Sequence, residues 1–346
     1  MDNSPTSTIN FDRANPAPAR EEQPLPDKPD TKKRLFTAAI ALTVAVVVCF
    51  MAVIVIEIGY RVGGAPSLPG GPDNGISYIG ESVSADDIHK GDLILVKEGY
   101  EYVFPSAEDA NLVSVTENQN NAYFVNNLKT DPTLNADVIK KFNAMMLELK
   151  QETGFSGVSV HEGYRTYKKQ DGYYNSPSIT DEVPAGFSEH HLGTAIDLKA
   201  VDPESKLTYA LAEKENVYGW LMANCYKFGF IDRYPDDKIK ITGIEHDRDT
   251  NPPSTHIRYV GYAHAYYMYE NDLCLEEYLE LLRTNYSYEG EHLTFTADDG
   301  NAYEVYYCKA EGKQIELPVP EDYDYSISGD NMNGFIVTVC FGEANG

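Results

Sequence analysis

The sequence predicts an α+β domain that is anchored by a single membrane helix and followed by a small β module. Three observations predict this organisation: an uncharged apolar stretch near the N-terminus, short β-rich runs intermixed with helical segments in the middle of the chain, and a β-like texture after residue 284. The 346 residues are 42% apolar and 24% charged. This composition excludes a wholly disordered chain and predicts at least one packed core.

The membrane helix is expected at residues 35–57. Within it, Leu35 to Ile56 contains no charged residue, proline or glycine, and at about 1.5 Å per residue it spans a hydrocarbon layer of roughly 30 Å. A basic cluster at residues 32–34 precedes it and only Arg61 lies close behind it, so the N-terminus is expected in the cytoplasm and the folded part outside the cell. The alternative, a cleaved signal peptide, has a shorter apolar core of about 7 to 15 residues.

The other boundaries follow from composition and charge. We expect a disordered cytoplasmic tail at residues 1–34, a Gly/Pro-rich spacer at 58–75, the main domain at 76–284 and the β module at 285–346. Residues 58–346 carry 22 basic and 47 acidic side chains, and so acidic a surface repels phosphate backbones. Nucleic acid is therefore not an expected ligand, and the sequence identifies no protein partner.

The main domain alternates predicted helices and strands. One helix begins after Asn135, carries apolar residues at helical spacing and ends before Gly154. Further helices are predicted within residues 208–230 and 273–282. The predicted strands of this domain are residues 157–161, 194–201, 238–244 and 256–261.

The C-terminal module contains three β-like runs, HLTFTA, YEVYYC and GFIVTVC. Cys308 and Cys340 each end one of these runs and are the expected disulfide pair, with buried free thiols as the alternative. The chain contains no CxxC spacing, so a cysteine metal site is not expected.

The chemistry concentrates between residues 163 and 261. A pattern Ser-x-His-x-x-Gly-x-Ala-x-Asp runs from Ser188 to Asp197, and a turn followed by a strand folds His190 and Asp197 back onto one point. Together with His256 they form a ligand set suited to catalytic zinc, which acidifies water and polarises a carbonyl for amide hydrolysis. His191 is the alternative ligand, and the spacing to Asp197 favours His190.

These residues lie in a segment, roughly 136–282, that resembles the VanY-like D-alanyl-D-alanine carboxypeptidases, LAS-type zinc metallopeptidases that remove the terminal D-alanine from peptidoglycan stem peptides. The motifs that carry the resemblance are GYRTYKKQ, FSEHHLGTAIDL, WLMANCYKFGFIDRYP, ITG and HIRYVGYAHA. The resemblance implies a fold of mixed helices around a small antiparallel sheet. It also implies one zinc ion per chain and a peptidoglycan stem peptide as substrate.

Carried over position by position, the resemblance assigns His190, Asp197 and His256 as the zinc ligands. It assigns three further residues, Arg165, Gln170 and Ser188, to the substrate cleft. A guanidinium suits the terminal carboxylate or the developing oxyanion of a peptide, although an ordinary surface arginine is the alternative for Arg165.

The sequence departs from the family at the general base. The family places a glutamate three residues before the last histidine, where this chain has Pro253. A loop carboxylate, Asp247 or Glu245, is the candidate replacement if it reaches within about 3 Å of the reacting water. Two functions therefore stay open: a zinc D,D-carboxypeptidase, which the intact ligand set favours, and a catalytically inactive wall-binding or sensing ectodomain, which the missing glutamate favours. An adhesion module is a third interpretation, and it rests on the β module alone.

Overall fold

The computed structural model describes residues 75–104, 111–126, 131–177, 179, 182–202, 204–244 and 253–343. The predicted tail, the predicted membrane helix and the spacer up to residue 74 lie outside these ranges, as do Glu245 and Asp247. Among the helices in the described ranges, none combines the length and the apolar character needed to cross a bilayer.

The described residues contain both strands and helices, which confirms the predicted α+β class. In chain order the strands are β1 (Tyr78–Ser84), β2 (Leu112–Ser114), β3 (Phe124–Val125), β4 (Thr133–Asn135), β5 (Val158–Glu162), β6 (Ala195–Val201), β7 (Thr208–Tyr209), β8 (Phe230–Asp232), β9 (Thr255–Tyr259), β10 (Leu293–Thr296), β11 (Asn301–Lys309), β12 (Gln314–Pro320), β13 (Asp324–Gly329) and β14 (Gly334–Glu343). The α-helices are α1 (Val115–Asn118), α2 (Ala136–Thr153), α3 (Tyr167–Tyr174), α4 (Glu215–Asn224), α5 (Ile239–Thr242), α6 (Tyr262–Glu270) and α7 (Leu275–Asn285). Short 3₁₀ turns connect several of them.

The central sheet has the strand order β3-β5-β6-β9-β8, with β7 paired to β6. Its pairs are antiparallel except for β3 and β5, which run parallel, so the sheet departs from the purely antiparallel one expected. Strand β6 lies between β5 and β9 and is buried along its whole length, and its apolar residues pack with those of α2 and α4. This buried strand carries Asp197.

Helix α2 forms where the sequence predicts it. The side chain of Asn135 accepts a hydrogen bond from the backbone N–H of Asp137 at its start, and Gly154, with φ +70°, ends it. Its apolar stripe, which includes Phe142, Met146 and Leu149, is buried against the central sheet.

The prediction of a strand at residues 238–244 is wrong, because this segment contains the short helix α5. The Lys-Ile-Lys-Ile alternation resembles a strand, but Ile241 is 42% exposed, so the isoleucines do not share a buried face. Gly243, with φ +75°, ends the helix and donates its N–H to the carbonyl of Ile239. Glycine adopts this left-handed conformation without the steric strain that a residue with a Cβ would have.

The C-terminal module forms a four-stranded sheet in the order β10-β11-β14-β13, and β12 pairs with β1. Strand β1 lies at the start of the main domain expected at residues 76–284, so a boundary at residue 285 separates two paired strands. One buried apolar cluster also joins both parts, since Leu93 and Leu282 pack in the same cluster as Val305 and Ile336.

The structure corrects the expected disulfide. In the β11–β14 pair Cys308 is opposite Phe335, whereas Cys340 is opposite Tyr303. The two cysteines therefore lie five residues apart along the ladder (308 minus 303), roughly 16 Å at the rise of a β-strand. Both are free thiols, and burial raises the pKa of Cys308 to about 12.

Candidate metal centre and adjoining cleft

Three elements bring His190, Asp197 and His256 together. His190 lies in the 3₁₀ turn Glu189–Leu192, which ends at Gly193 with φ +72° so that the chain can enter β6. Asp197 in β6 lies directly opposite His256 in β9 in the antiparallel register. Residues opposite each other in a ladder project from the same face, so the carboxylate and the imidazole meet.

The side-chain atoms of these three buried residues converge on one point. Nε2 of His190 lies 3.1 Å from Oδ2 of Asp197, and Nδ1 of His256 lies 2.8 Å from Oδ1 of the same carboxylate. The two imidazole rings are perpendicular, with centroids 5.0 Å apart. One nitrogen or oxygen atom from each residue lies within 4.8 Å of the other two, which brings the predicted ligand set together.

The hydrogen bonds of His190 fit a bound cation. Its Nδ1 lies 2.7 Å from the carbonyl oxygen of Gly163, and because a carbonyl only accepts, Nδ1 carries the hydrogen. In the neutral ring Nε2 then presents a lone pair to Asp197. Two acceptors 3.1 Å apart need a proton or a cation between them. A ligating histidine that donates its other N–H to a backbone carbonyl is the usual arrangement at zinc sites.

The electrostatics keep the ligands in the forms that bind a metal. Burial, and next to it the positive charge of Arg165, lowers the pKa of His190, which favours the neutral imidazole. Burial opposes the ionisation of Asp197, but His190 and His256 hold the pKa of its carboxyl well below the ordinary value. A neutral imidazole and an ionised carboxylate are the forms that coordinate zinc.

The predicted cleft residues lie beside the cluster. Nη2 of Arg165 donates to Oδ2 of Asp197 at 3.3 Å, and Nη1 donates to Oε1 of Gln170 at 3.1 Å. Gln170 lies on α3 and is fully buried, and Ser188 is buried immediately before the turn that carries His190. The structure therefore places the guanidinium of Arg165 against the ligand set, with Gln170 bound to that guanidinium and Ser188 two residues before His190 in the chain.

His191 faces away from the cluster. Its Nδ1 lies 2.6 Å from the carbonyl oxygen of Arg165, and its Nε2 accepts the backbone N–H of Gly186 at 3.0 Å. Both ring nitrogens are thus used to hold two loops together. The structure places His190, and not His191, with Asp197 and His256.

Sequence reasoning missed Glu189, the residue between Ser188 and His190. It is buried, and its Oε1 accepts hydrogen bonds from Arg233 at 2.8 Å and Arg258 at 2.5 Å. Its Oε2 lies 3.6 Å from Nε2 of His256. Burial opposes the charge, but the two guanidinium groups hold the pKa of Glu189 well below its ordinary value. The position of Glu189 between Ser188 and His190, inside the ligand motif, was the available signal, and it did not identify the partners of this carboxylate.

At the position where the family has its glutamate, Pro253 is exposed and carries no group that can accept a proton. The candidate bases Asp247 and Glu245 lie outside the described residues, so their assignment stays a prediction. Of the nearby described carboxylates, Glu189 is already bound by two guanidinium groups, which makes it a poor proton acceptor.

Comparison with known proteins identifies similar chains. The family model VanY, described as D-alanyl-D-alanine carboxypeptidase, matches residues 131–262. A D-alanyl-D-alanine carboxypeptidase of Enterococcus faecium is 29% identical over 77% of this chain and 80% of its own length. The bifunctional D-Ala-D-Ala dipeptidase and D-Ala-D-Ala carboxypeptidase VanXYC of Enterococcus gallinarum is 30% identical over 44% of this chain and 80% of its own length.

Solved structures show the same likeness. The vancomycin resistance D,D-dipeptidase VanXYg, in complex with a D-Ala-D-Ala phosphinate analogue, matches with a TM-score of 0.61 at 24% identity over 76% of this chain and 99% of that chain. This similarity shows that the chain shares its α+β fold with that structure. A mutant of the D,D-pentapeptidase VanY from a VanB-type cassette, solved with Zn(II), is 31% identical over 54% of this chain and 98% of that chain, with a TM-score of 0.39.

Proposed function

The chain belongs to the VanY-like family of D-alanyl-D-alanine carboxypeptidases, and from this membership we propose that it is a zinc D,D-carboxypeptidase that removes the terminal D-alanine from peptidoglycan stem peptides. The observation that carries the proposal is the convergence of His190, Asp197 and His256 beside the guanidinium of Arg165. A metal-ligand set and a carboxylate-binding group in direct contact are the two parts that a carboxypeptidase needs.

His190, Asp197 and His256 would hold the metal, and a set of three protein ligands leaves a fourth coordination position for water or substrate. When bound, zinc lowers the pKa of water and polarises the peptide carbonyl, which is the chemistry of amide hydrolysis. The hydrogen bond of His190 to Gly163 keeps its Nε2 available as a ligand atom.

The cleft residues would bind and orient the substrate. The guanidinium of Arg165 is positioned to bind the terminal carboxylate of a stem peptide, with Gln170 and Ser188 beside it. Charge-assisted hydrogen bonds of this kind supply both affinity and orientation. The burial of Arg165 keeps water from weakening them.

A carboxylate oxygen of Asp247 or Glu245 would take the proton from the attacking water, because Pro253 cannot. The second candidate function, a catalytically inactive peptide-binding or sensing ectodomain, rests on this same replacement. We favour the enzyme because a binding module has no need of an open metal position.

We further propose that the chain acts on the outer face of the cell membrane, held there by residues 35–57 with its N-terminus in the cytoplasm. The proposal rests on the 22 uncharged residues from Leu35 to Ile56 and the basic cluster before them. Protease added to intact protoplasts should then remove the folded domain, and full protection of that domain would refute this topology.

The activity is tested with a synthetic stem pentapeptide that ends in D-Ala-D-Ala. The zinc-loaded chain should release free D-alanine and lose this activity when a chelator removes the metal. His256→Ala is the matched inactive control, because it removes one ligand. A chain that holds zinc and binds the peptide but releases no D-alanine would support the binding module instead.

A further inference from the structure

The carboxylate of Glu182 lies on the two side chains that bind the substrate carboxylate in the proposed function. Nη1 of Arg165 donates to its two oxygens at 3.2 and 3.3 Å. Nε2 of Gln170 donates to Oε2 at 2.8 Å. The chain thus supplies a carboxylate of its own to these two side chains.

The donors concerned have no capacity left for a second carboxylate. Nη1 of Arg165 carries two hydrogens, and they are used by Glu182 and by Oε1 of Gln170 at 3.1 Å. Nε2 of Gln170 also carries two, used by Glu182 and by the carbonyl of Val183 at 2.8 Å. An incoming carboxylate can reach these donors only by taking the place of Glu182.

Charge leads to the same conclusion. Arg165 faces three carboxylates, because Glu162 lies 3.5 Å from its Nε and Asp197 lies 3.3 Å from its Nη2 in addition to Glu182. A fourth carboxylate beside a single guanidinium would be repelled.

Of the three, Glu182 is the one that can leave. Its side chain is 18% exposed, against 12% for Glu162 and 7% for Asp197. Glu162 is also held by Lys169 at 2.7 Å and by the hydroxyl of Tyr173 at 3.2 Å. Asp197 is held by the two histidines of the ligand set.

We propose that Glu182 is an internal occupant of the terminal-carboxylate subsite and that a ligand with a free carboxyl end binds only by displacing it. The identity of this ligand, a peptide or amino acid with a terminal carboxylate, rests on the proposed function. Glu182 thereby weakens the binding of every such ligand and leaves ligands without a terminal carboxylate unaffected.

The test uses D-alanine as the probe and D-alaninamide, which lacks the carboxylate, as its matched partner. Binding to the zinc-loaded full-length chain is measured by calorimetry for the unchanged chain, Glu182→Ala and Glu182→Gln. Removing the competing carboxylate should lower the dissociation constant of D-alanine about ten-fold, the usual weight of a hydrogen bond to a charged group. The dissociation constant of D-alaninamide should stay the same.

Glu162→Gln is the control variant, because it removes the same charge from the same arginine without freeing Nη1 or Gln170. If Glu162→Gln lowered the dissociation constant of D-alanine by the same factor, the cause would be the lost negative charge near Arg165 and not a vacated subsite, and the proposal would be overturned. Unchanged or weaker binding of D-alanine in both Glu182 variants would also overturn it, since Glu182 would then be a positioning residue for Arg165. The binding of D-alanine does not depend on peptide hydrolysis. Tighter binding of D-alanine to the Glu182 variants would therefore support the inference even if the chain failed to hydrolyse the pentapeptide and the proposed function were wrong.

Discussion

The carboxylate of Glu189 lies 3.6 Å from Nε2 of His256, on the side of the imidazole ring opposite to Nδ1, which faces Asp197. A carboxylate at this position favours the tautomer with the hydrogen on Nε2 and the lone pair on Nδ1. Arg233 and Arg258 hold Glu189 in place from its other oxygen. The buried carboxylate behind the cluster thus favours one tautomer of one of its three ligands.

We therefore expect Glu189→Gln to weaken zinc binding about 10-fold to 100-fold, the usual cost of losing a carboxylate behind a histidine ligand. Competition with a chromogenic chelator measures the affinity. Glu276→Gln is the control, because Glu276 binds the same Arg233 at 2.9 Å and none of its described contacts is with His256. An equal loss of zinc affinity in both variants would show that the substitutions act by disturbing the fold and not through His256.

His190→Ala should empty the metal site, whereas His191→Ala should leave about one zinc ion per chain. The reason is that Nε2 of His190 faces Asp197, while both nitrogens of His191 bind backbone groups. Metal content of the purified variants measures the difference. Similar zinc loss in the two variants, with both still folded by circular dichroism, would contradict the assignment.

If a loop carboxylate is the general base, Asp247→Asn or Glu245→Gln should lower the turnover of the pentapeptide about 100-fold to 10,000-fold. The zinc content should not change, because the base is not a ligand. Release of D-alanine and metal content are measured on the same preparations. Full activity in both variants would place the base elsewhere in the chain.

Burial lowers the pKa of His264 to about 4, and its nitrogens contact the hydroxyls of Tyr278 at 2.8 Å and Thr338 at 3.0 Å. The pKa of an unfolded histidine is near 6.5. Below that pH the unfolded chain therefore binds a proton at His264, whereas the folded chain does not. The contribution of His264 to the free energy of unfolding should therefore be fully present above about pH 6.5 and fall by about 3 kcal/mol as the pH drops to about 4.

Urea unfolding at pH 7 and pH 5 measures this loss. His264→Gln removes the titrating group, so the difference in unfolding free energy between the two pH values should be smaller in the variant. The other histidines and the carboxylates are present in both chains and cancel in the comparison. An unchanged difference would show that His264 is not the source of the loss.

The sequence by itself determined the helices and strands whose pattern lies within a few neighbouring residues. The apolar spacing, Asn135 and Gly154 define helix α2 because a helix is stabilised by contacts between near neighbours. The same holds for the apolar face of α7 and for the β-rich runs of the C-terminal module. The spacing of His190 and Asp197 likewise sufficed to predict that these two side chains meet, since one turn and one strand connect them.

Only the tertiary structure decided the contacts between distant segments. No pattern in the sequence predicts that Glu189 is buried between Arg233 and Arg258, or that β1 pairs with β12. Likewise, Glu182 reaches Arg165 only after the chain between them has folded back. Such pairings depend on which surfaces the packed core brings together, and a charge or an apolar side chain does not encode its distant partner. That is why the meeting of His190 and Asp197 was predictable, whereas the carboxylates that lie beside His256 and Arg165 were not.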